Sequence, residues 1–273
     1  MRRRDVLLAT VILLLAWQLL AWLLRLEVLP GPAAVGQALA REIPRGLGRH
    51  FLVSGWRVVA SIAVATLLAV PAGLILGQSA RLNRLVSPIV YILHPIPKIV
   101  FLPILLLFLG IGDTSKVFMI FLILFFPILV VVRDQAGALR PELIYSVRSL
   151  GAGRRALFRF VYLPATVPAA LTALRVSIGT AVAVLFFAES FATTSGLGYY
   201  IIVESWGRLA YPEMYAGVVA MSALGLLLYV VVDRFERRMA PWMFLRDTLG
   251  APRGAKAIRA VRLPQIRIVL VAR

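Results

Sequence analysis

Arg175 and Glu189 stand fourteen positions apart in an otherwise apolar stretch, ALRVSIGTAVAVLFFAES. On a helix that spacing puts them about 40° apart around the axis and roughly 21 Å apart along it. One face, with Gly179, Val182 and Phe186 between them, then carries a cation near one end and an anion near the other. An ionisable side chain facing lipid costs roughly 3 kcal/mol or more, so this face turns toward protein. It suits the electrostatic handling of a charged solute, with Phe186 in an apolar gate and Glu189 bracing the outer mouth. Lys98, in a proline-rich stretch, supplies a further positive charge for an anion. The same spacing also serves two ion pairs that hold neighbouring helices together, and the sequence leaves both readings open. Other chemistry finds little support. There is no cysteine, and His50 and His94 lie far apart, so no metal centre is expected. Asp113, His94 and Glu189 are too dispersed for an enzyme acting on lipid phosphates.

The second informative segment is polar. Between Pro141 and Pro168 the chain reads PELIYSVRSLGAGRRALFRFVYLPATVP, flanked by apolar stretches on both sides. Leu143, Ile144, Val147 and Leu150 recur at helical spacing and form one apolar stripe. Gly151 and Gly153 break the run before a second short helix carrying Arg154, Arg155 and Arg159. Two short helices lying across the direction of the spans, with Ala152 and Gly153 at their turn, suit a soluble partner. A basic amphipathic segment lying on lipid is the competing reading.

The elements that must position these residues are apolar. Of 273 residues 61% are hydrophobic, and the mean hydropathy is +0.90, well above soluble domains. The alternation of barrel strands is absent, so the fold class is all-α, a polytopic transmembrane helical bundle. About six spans of roughly 20 residues fit a hydrocarbon core of about 30 Å. They run Val6–Leu24, Gly55–Gly77, Val86–Leu109, Val117–Val132, Val167–Phe191 and Tyr215–Val232. MRRRD before the first reads like a secretory leader. The apolar stretch after it is too long and ends in Trp17, Trp22 and Arg25 without a small-residue cleavage site, so an uncleaved span is expected. Residues 29–54 are expected to form an external interfacial loop. The third span carries Pro88, Pro95, Pro97 and Pro103 and is expected to be broken or kinked. Gly73 and Gly77 form a GxxxG that argues for close helix packing without naming the partner.

A net charge of +18 reflects arginines gathered on one side of the spans, strongest from Arg133 to Arg159 and in the basic tail 241–273. By the positive-inside rule both termini are cytoplasmic, and the tail rests on anionic headgroups of membrane lipids; no nucleic acid is called for. The stretch Arg25 to Ser54, basic yet external, is the dissenting element. After the fifth span, Gly196 and Gly198 permit a sharp reversal. Thr194 to Arg208 is expected to form an external cap, with Tyr199, Tyr200 and Trp206 at headgroup level or facing a receptor.

Taken together, these segments resemble the permease subunits of the nitrate, sulfonate and taurine branch of ATP-binding cassette (ABC) importers. The resemblance rests on HPIPKIVFLPILLLFLGIGDTSK (His94 to Lys116), RSLGAGRRALFRFVYLPATVP (Arg148 to Pro168), ALRVSIGTAVAVLFFAES (Ala173 to Ser190) and TSGLGYYI (Thr194 to Ile201), in the family's order. It implies a type I importer-like fold over residues 55–240, after an N-terminal helix over 1–28. It also implies that 141–163 is the coupling loop onto a cytoplasmic ATPase, through Glu142, Tyr145, Ser146, Val147, Leu150, Gly151, Ala152, Gly153, Leu163 and Pro164. The family's Glu-Ala-Ala is replaced here by Tyr145, Ser146 and Val147, while Gly151 and the Leu163-Pro164 pair are kept. No GxxxxGK[ST] occurs, so ATP and Mg²⁺ belong to a partner subunit and this chain is not itself an enzyme. The resemblance further implies a second permease copy, an external solute-binding protein, a bacterial inner membrane and a small anionic cargo. An ion-coupled secondary transporter or channel is the alternative. It would carry more acidic residues in its spans and internal repeats.

Overall fold

A computed structural model describes residues 3–191 and 193–241; the basic tail beyond Pro241 lies outside the described residues. Among these, five helical runs are long and apolar enough to cross a membrane, and one bent pair makes a sixth. In chain order the helices are α1 (Arg3–Leu24), α2 (Pro32–Glu42), α3 (Gly48–Gln78), α4 (Ala80–Leu93), α5 (Leu102–Leu109) and α6 (Asp113–Gly137). There follow α7 (Pro141–Ser149), α8 (Arg154–Leu157), α9 (Leu163–Ser190), α10 (Leu197–Tyr199) and α11 (Tyr211–Met239).

The core is the α3–α6–α9 packing, and its sequence logic is a stripe on α3. Arg57, Ser61, Ala65, Ala69, Gly73 and Gly77 recur every four residues and form one ridge that winds gradually around the helix. Lipid is as apolar as leucine, so helix association there depends on close van der Waals approach, which small residues permit. The GxxxG pair is the tightest part. A Cβ at Gly73 would lie 2.8 Å from the Leu129 carbonyl, and one at Gly77 would lie 2.5 Å from the Arg133 carbonyl, both on α6. At the other end Arg57 reaches Asp113, the first residue of α6, so α3 and α6 run in the same direction. The intervening α4 and α5 bring the chain back, and α9 runs against both.

Residues 29–54 are not a loop. They hold α2, a π turn over Ile43–Leu47 and the first turns of α3, which begins at Gly48, ahead of the expected Gly55. Val35 and Ala38 are buried against Ala216 of α11, with Leu39 beside them, so an apolar stripe directs α2 onto the bundle despite its charged neighbours. Gly46, at φ +155°, supplies the backbone angle of the turn. α1 makes little contact, touching the rest through Trp17, which packs 5.9 Å from Tyr215.

The third span is broken as the prolines require. α4 and the Lys98–Leu109 segment meet at 81°. Pro95 and Pro97 remove donors at the end of α4. The Lys98 ammonium replaces them, donating to the carbonyls of His94 (2.9 Å), Leu93 (3.2 Å) and Ile96 (3.4 Å). A cation at a helix C-terminus also opposes the dipole there.

Candidate functional site

The charged residues of the spans gather in two clusters, at opposite ends of α9. Glu189, on its last turn, is fully buried. Arg57 of α3 donates from Nη1 to its Oε1 at 2.6 Å, and the Ser54 hydroxyl lies 2.8 and 3.0 Å from its two oxygens. The backbone N–H of Gly198 donates to Oε2 at 3.1 Å. Arg57 also donates from Nε and Nη2 to Asp113 (2.9 and 2.7 Å) and from Nη1 to the Ser195 carbonyl (2.8 Å). Lys116, nearly fully buried, donates to the Gly112 carbonyl at 3.1 Å and is the second cation of the group. Two buried cations are thus balanced by one buried carboxylate, Glu189, and by Asp113, whose side chain is 55% exposed.

This cluster holds the 193–208 segment in place. Ser54 accepts the Leu197 N–H at 2.8 Å, and His50 Nδ1 accepts the Gly196 N–H at 3.0 Å. Glycine is required at both turn positions. A Cβ at Gly196, where φ is +116°, would fall inside the Glu189 carboxylate, and one at Gly198 would lie 2.6 Å from the Phe186 carbonyl. Tyr200 does not face outward: it is 4% exposed, close to His50, with its hydroxyl 3.4 Å from Glu42. Burial, and Glu42 beside it, push its phenol well above the usual range, so it stays protonated. The expectation of a headgroup-level or receptor-facing Tyr200 is corrected. Tyr199 is half-buried and Trp206 exposed.

At the opposite end Arg175 pairs with Asp233 (2.8 Å) and Glu236 (3.2 Å) of α11, and the Thr172 hydroxyl donates to Glu236 at 2.6 Å. The reading of Arg175 and Glu189 as charges that line a path along one interior face is therefore corrected. Each is consumed by a neighbouring helix, as the sequence allowed. Phe186, half-buried, belongs to the packed core. Gly179 is exposed, bordering a shallow groove against Ser222 and Gly225 of α11. Lys98 caps α4, with its ammonium 4.5 Å from the Phe126 ring centre.

Between α6 and α9 the chain makes two short helices, α7 and α8, and the second runs on without a break into α9. α7 has Glu142 in its first turn, and Gly151, at φ +82°, ends it. Leu143, Tyr145 and Leu150 are exposed, Leu150 by 85%, while Ile144 and Val147 are half-buried. Ser146 and Ala152 stand at the same surface, and nothing lies within 4 Å of a Cβ built at Gly151 or Gly153. The expected second short helix is the start of the fifth span: Arg154 to Ser190 is one helical run of 37 residues. A π turn over Phe158–Tyr162 precedes Leu163 and Pro164, and wider hydrogen bonding there accommodates the proline ring.

Arg57, Ser54 and His50 do not stand out in the sequence as members of one site. A signal exists for Arg57, a lone cation inside the second apolar span. Asp113 and Glu189, dispersed along the chain, meet through it.

Five apolar spans and a bent sixth, with a reversal sealed onto a buried carboxylate and an exposed, glycine-ended helix between two spans, define a multi-span membrane protein. Residues 69–244 match the family described as the binding-protein-dependent transport system inner membrane component. The chain belongs to that family, as a permease subunit of the nitrate, sulfonate and taurine branch of ABC importers. It is 32% identical to the taurine transport system permease protein TauC of Escherichia coli over 197 residues, 72% of this chain and 71% of that protein. It is 26% identical to the putative aliphatic sulfonates transport permease protein SsuC of Bacillus subtilis, over 86% of both chains. It is 29% identical to the formylaminopyrimidine transport permease protein ThiX of Halalkalibacterium halodurans, over 66% of this chain and 72% of that one. Its fold is similar to a chain of the inward-facing MetNI methionine ABC transporter, with TM-score 0.60 and 23% identity over 71% of this chain and 95% of that one.

Proposed function

We propose that this chain carries a small anion, a sulfonate, taurine or nitrate, across a bacterial plasma membrane when a separate ATPase closes on ATP and Mg²⁺. The observation that carries the reading is α7. It presents Leu143, Tyr145 and Leu150 to solvent and ends in an unobstructed glycine turn, the shape of a helix that fills a groove on a partner. α7 connects through the 37-residue run to Glu189, so a push there is delivered to the far end of the bundle. The arginine distribution supports termini on the ATPase side. A second copy of the permease and an external solute-binding protein complete the machine, the binding protein setting most of the selectivity. The anionic cargo is supported by the taurine and sulfonate relatives. The ion-coupled alternative gains nothing from the structure, because the acidic residues of the spans are engaged in ion pairs.

Reconstituted with its ATPase and binding protein, the chain is expected to import labelled taurine or an alkanesulfonate with ATP. Leu150→Asp should leave folding intact and remove ATPase stimulation. Full stimulation in that variant would overturn α7 as the docking element. ATP-independent uptake would favour the ion-coupled alternative.

A further inference from the structure

We propose that the groove between α4 and α6 is the passage through which this chain handles its anion, an inference that rests on the importer function proposed above. α4 is two-faced. Asn83, Ser87, Tyr91 and His94 recur at intervals of four, four and three residues, which confines them to an arc of about 80°. Leu85, Ile89 and Ile92 occupy the opposite side and are exposed; on the polar arc Asn83 and Ser87 are half-buried, and Tyr91 and His94 are exposed toward the groove mouth. A membrane-embedded helix keeps a polar arc where that arc meets protein, water or solute. Here Ser87, Tyr91 and His94 of the arc, with Val90 and Pro95, border a cavity of about 510 Å³, whose other wall is Val130 and Arg133 of α6. That volume lies within the range of small-molecule sites.

The chemistry of the walls selects a sign. Arg133 leans across the groove, with Nη1 3.3 Å from the Ser87 hydroxyl, which in turn donates to Asn83 at 2.6 Å. Its carboxylate partner, Asp134, is largely exposed, whereas the Arg133 side chain is 19% exposed. Beyond His94 comes Lys98, whose ammonium is held by carbonyls and makes no ion pair among the described residues. A cation thus stands at each end of the polar arc, with hydroxyl and imidazole donors between. Several weak sites in series let an anion enter and also leave. The fully apolar groove between α2, α3 and α11 offers no such donors.

The absence of cysteine permits a direct test in the complete transporter. Single cysteines replace His94 and Ser87 on the polar arc, and Leu85 and Ile89 opposite. Each is treated in membranes with anionic sulfonatoethyl and cationic trimethylammonioethyl methanethiosulfonate. His94→Cys and Ser87→Cys should react at least about tenfold faster than Leu85→Cys and Ile89→Cys, with the anionic reagent favoured. Adding Arg133→Gln to His94→Cys should lower the anionic rate by roughly fivefold or more and leave the cationic rate unchanged or higher. Equal rates on the two arcs, or an anion preference that survives Arg133→Gln, would overturn the proposal. A groove filled by a lipid headgroup would make His94→Cys as slow as Leu85→Cys, and that result would overturn it too. Labelling requires no turnover. A complex that shows the pattern but imports nothing with ATP would remove the importer reading and leave an anion-selective groove.

Discussion

Glu189→Gln isolates the charge of the buried cluster while keeping its shape. The amide oxygen still accepts from Ser54 and from the Gly198 N–H, so what is lost is the attraction to Arg57, now 2.6 Å away, together with the hydrogen bond Oε1 accepts from it, since an amide NH2 in that place cannot accept. With charge centres about 4 Å apart and an effective dielectric constant near 20, that attraction is about 4 kcal/mol. Arg57 keeps Asp113 at 2.7 Å, which recovers part of it. A loss of about 3 kcal/mol is expected, in line with breaking other buried pairs. For a chain of this size it corresponds to a fall in Tm of roughly 6–12 °C. Asp113→Asn offers the contrast: its side chain is 55% exposed, so its pair with Arg57 is worth about 1 kcal/mol or less. The assay is thermal unfolding of detergent-purified protein followed by size-exclusion fluorescence. Arg57→Gln combined with Glu189→Gln should cost less than the sum of the single changes, because each removes the same interaction. Equal shifts for Glu189→Gln and Asp113→Asn, or strict additivity in the double variant, would refute the cluster as described.

Gly196→Ala should destabilise by about 3 kcal/mol, because its Cβ meets the Glu189 carboxylate at a φ that favours glycine, whereas Gly153→Ala in open space should be near neutral by the same melting assay. Gly77→Val should separate α3 from α6, since even a Cβ there sits 2.6 Å from that of Ala136, and loss of a monodisperse elution peak would register it. Arg175→Gln should cost about 3 kcal/mol in melting experiments by leaving buried Glu236 without its cation, and Thr172→Val about 1 kcal/mol. Tyr200→Phe removes a 3.4 Å contact to Glu42 and a hydroxyl interaction with Ser205, and should change Tm by less than about 3 °C.

What the sequence reveals and what it conceals divide along one physical line. Periodicity reports the faces of a single helix, so the spans, the broken third span, the glycine end of α7 and the shared face of Arg175 and Glu189 are all legible. It says nothing of which helix lies opposite, and here the opposing helix decides the role. Glu189 is not a gatepost because Arg57 reaches it from α3, 132 positions earlier. Residues 29–54 read as a loop because Arg41, Glu42, Arg45 and Arg49 outweigh a stripe of only Val35, Ala38 and Leu39, which becomes a helix face once α11 covers it. The second short helix, α8, is not separate from the fifth span for a related reason: arginines mark an aqueous segment, and a span can begin in water before it enters lipid. A more productive reading treats each lone charge in a span as a request for its opposite elsewhere. Arg57 in the second span asks for acids; Glu189 in the fifth and Asp113 at the head of the fourth answer it. Arg175 asks, and Asp233 and Glu236 answer. Lys98 and Lys116 both donate to carbonyls and make no ion pair among the described residues; Lys116 has the charges of Glu189 and Asp113 nearby, whereas Lys98 stands beside the polar arc of α4.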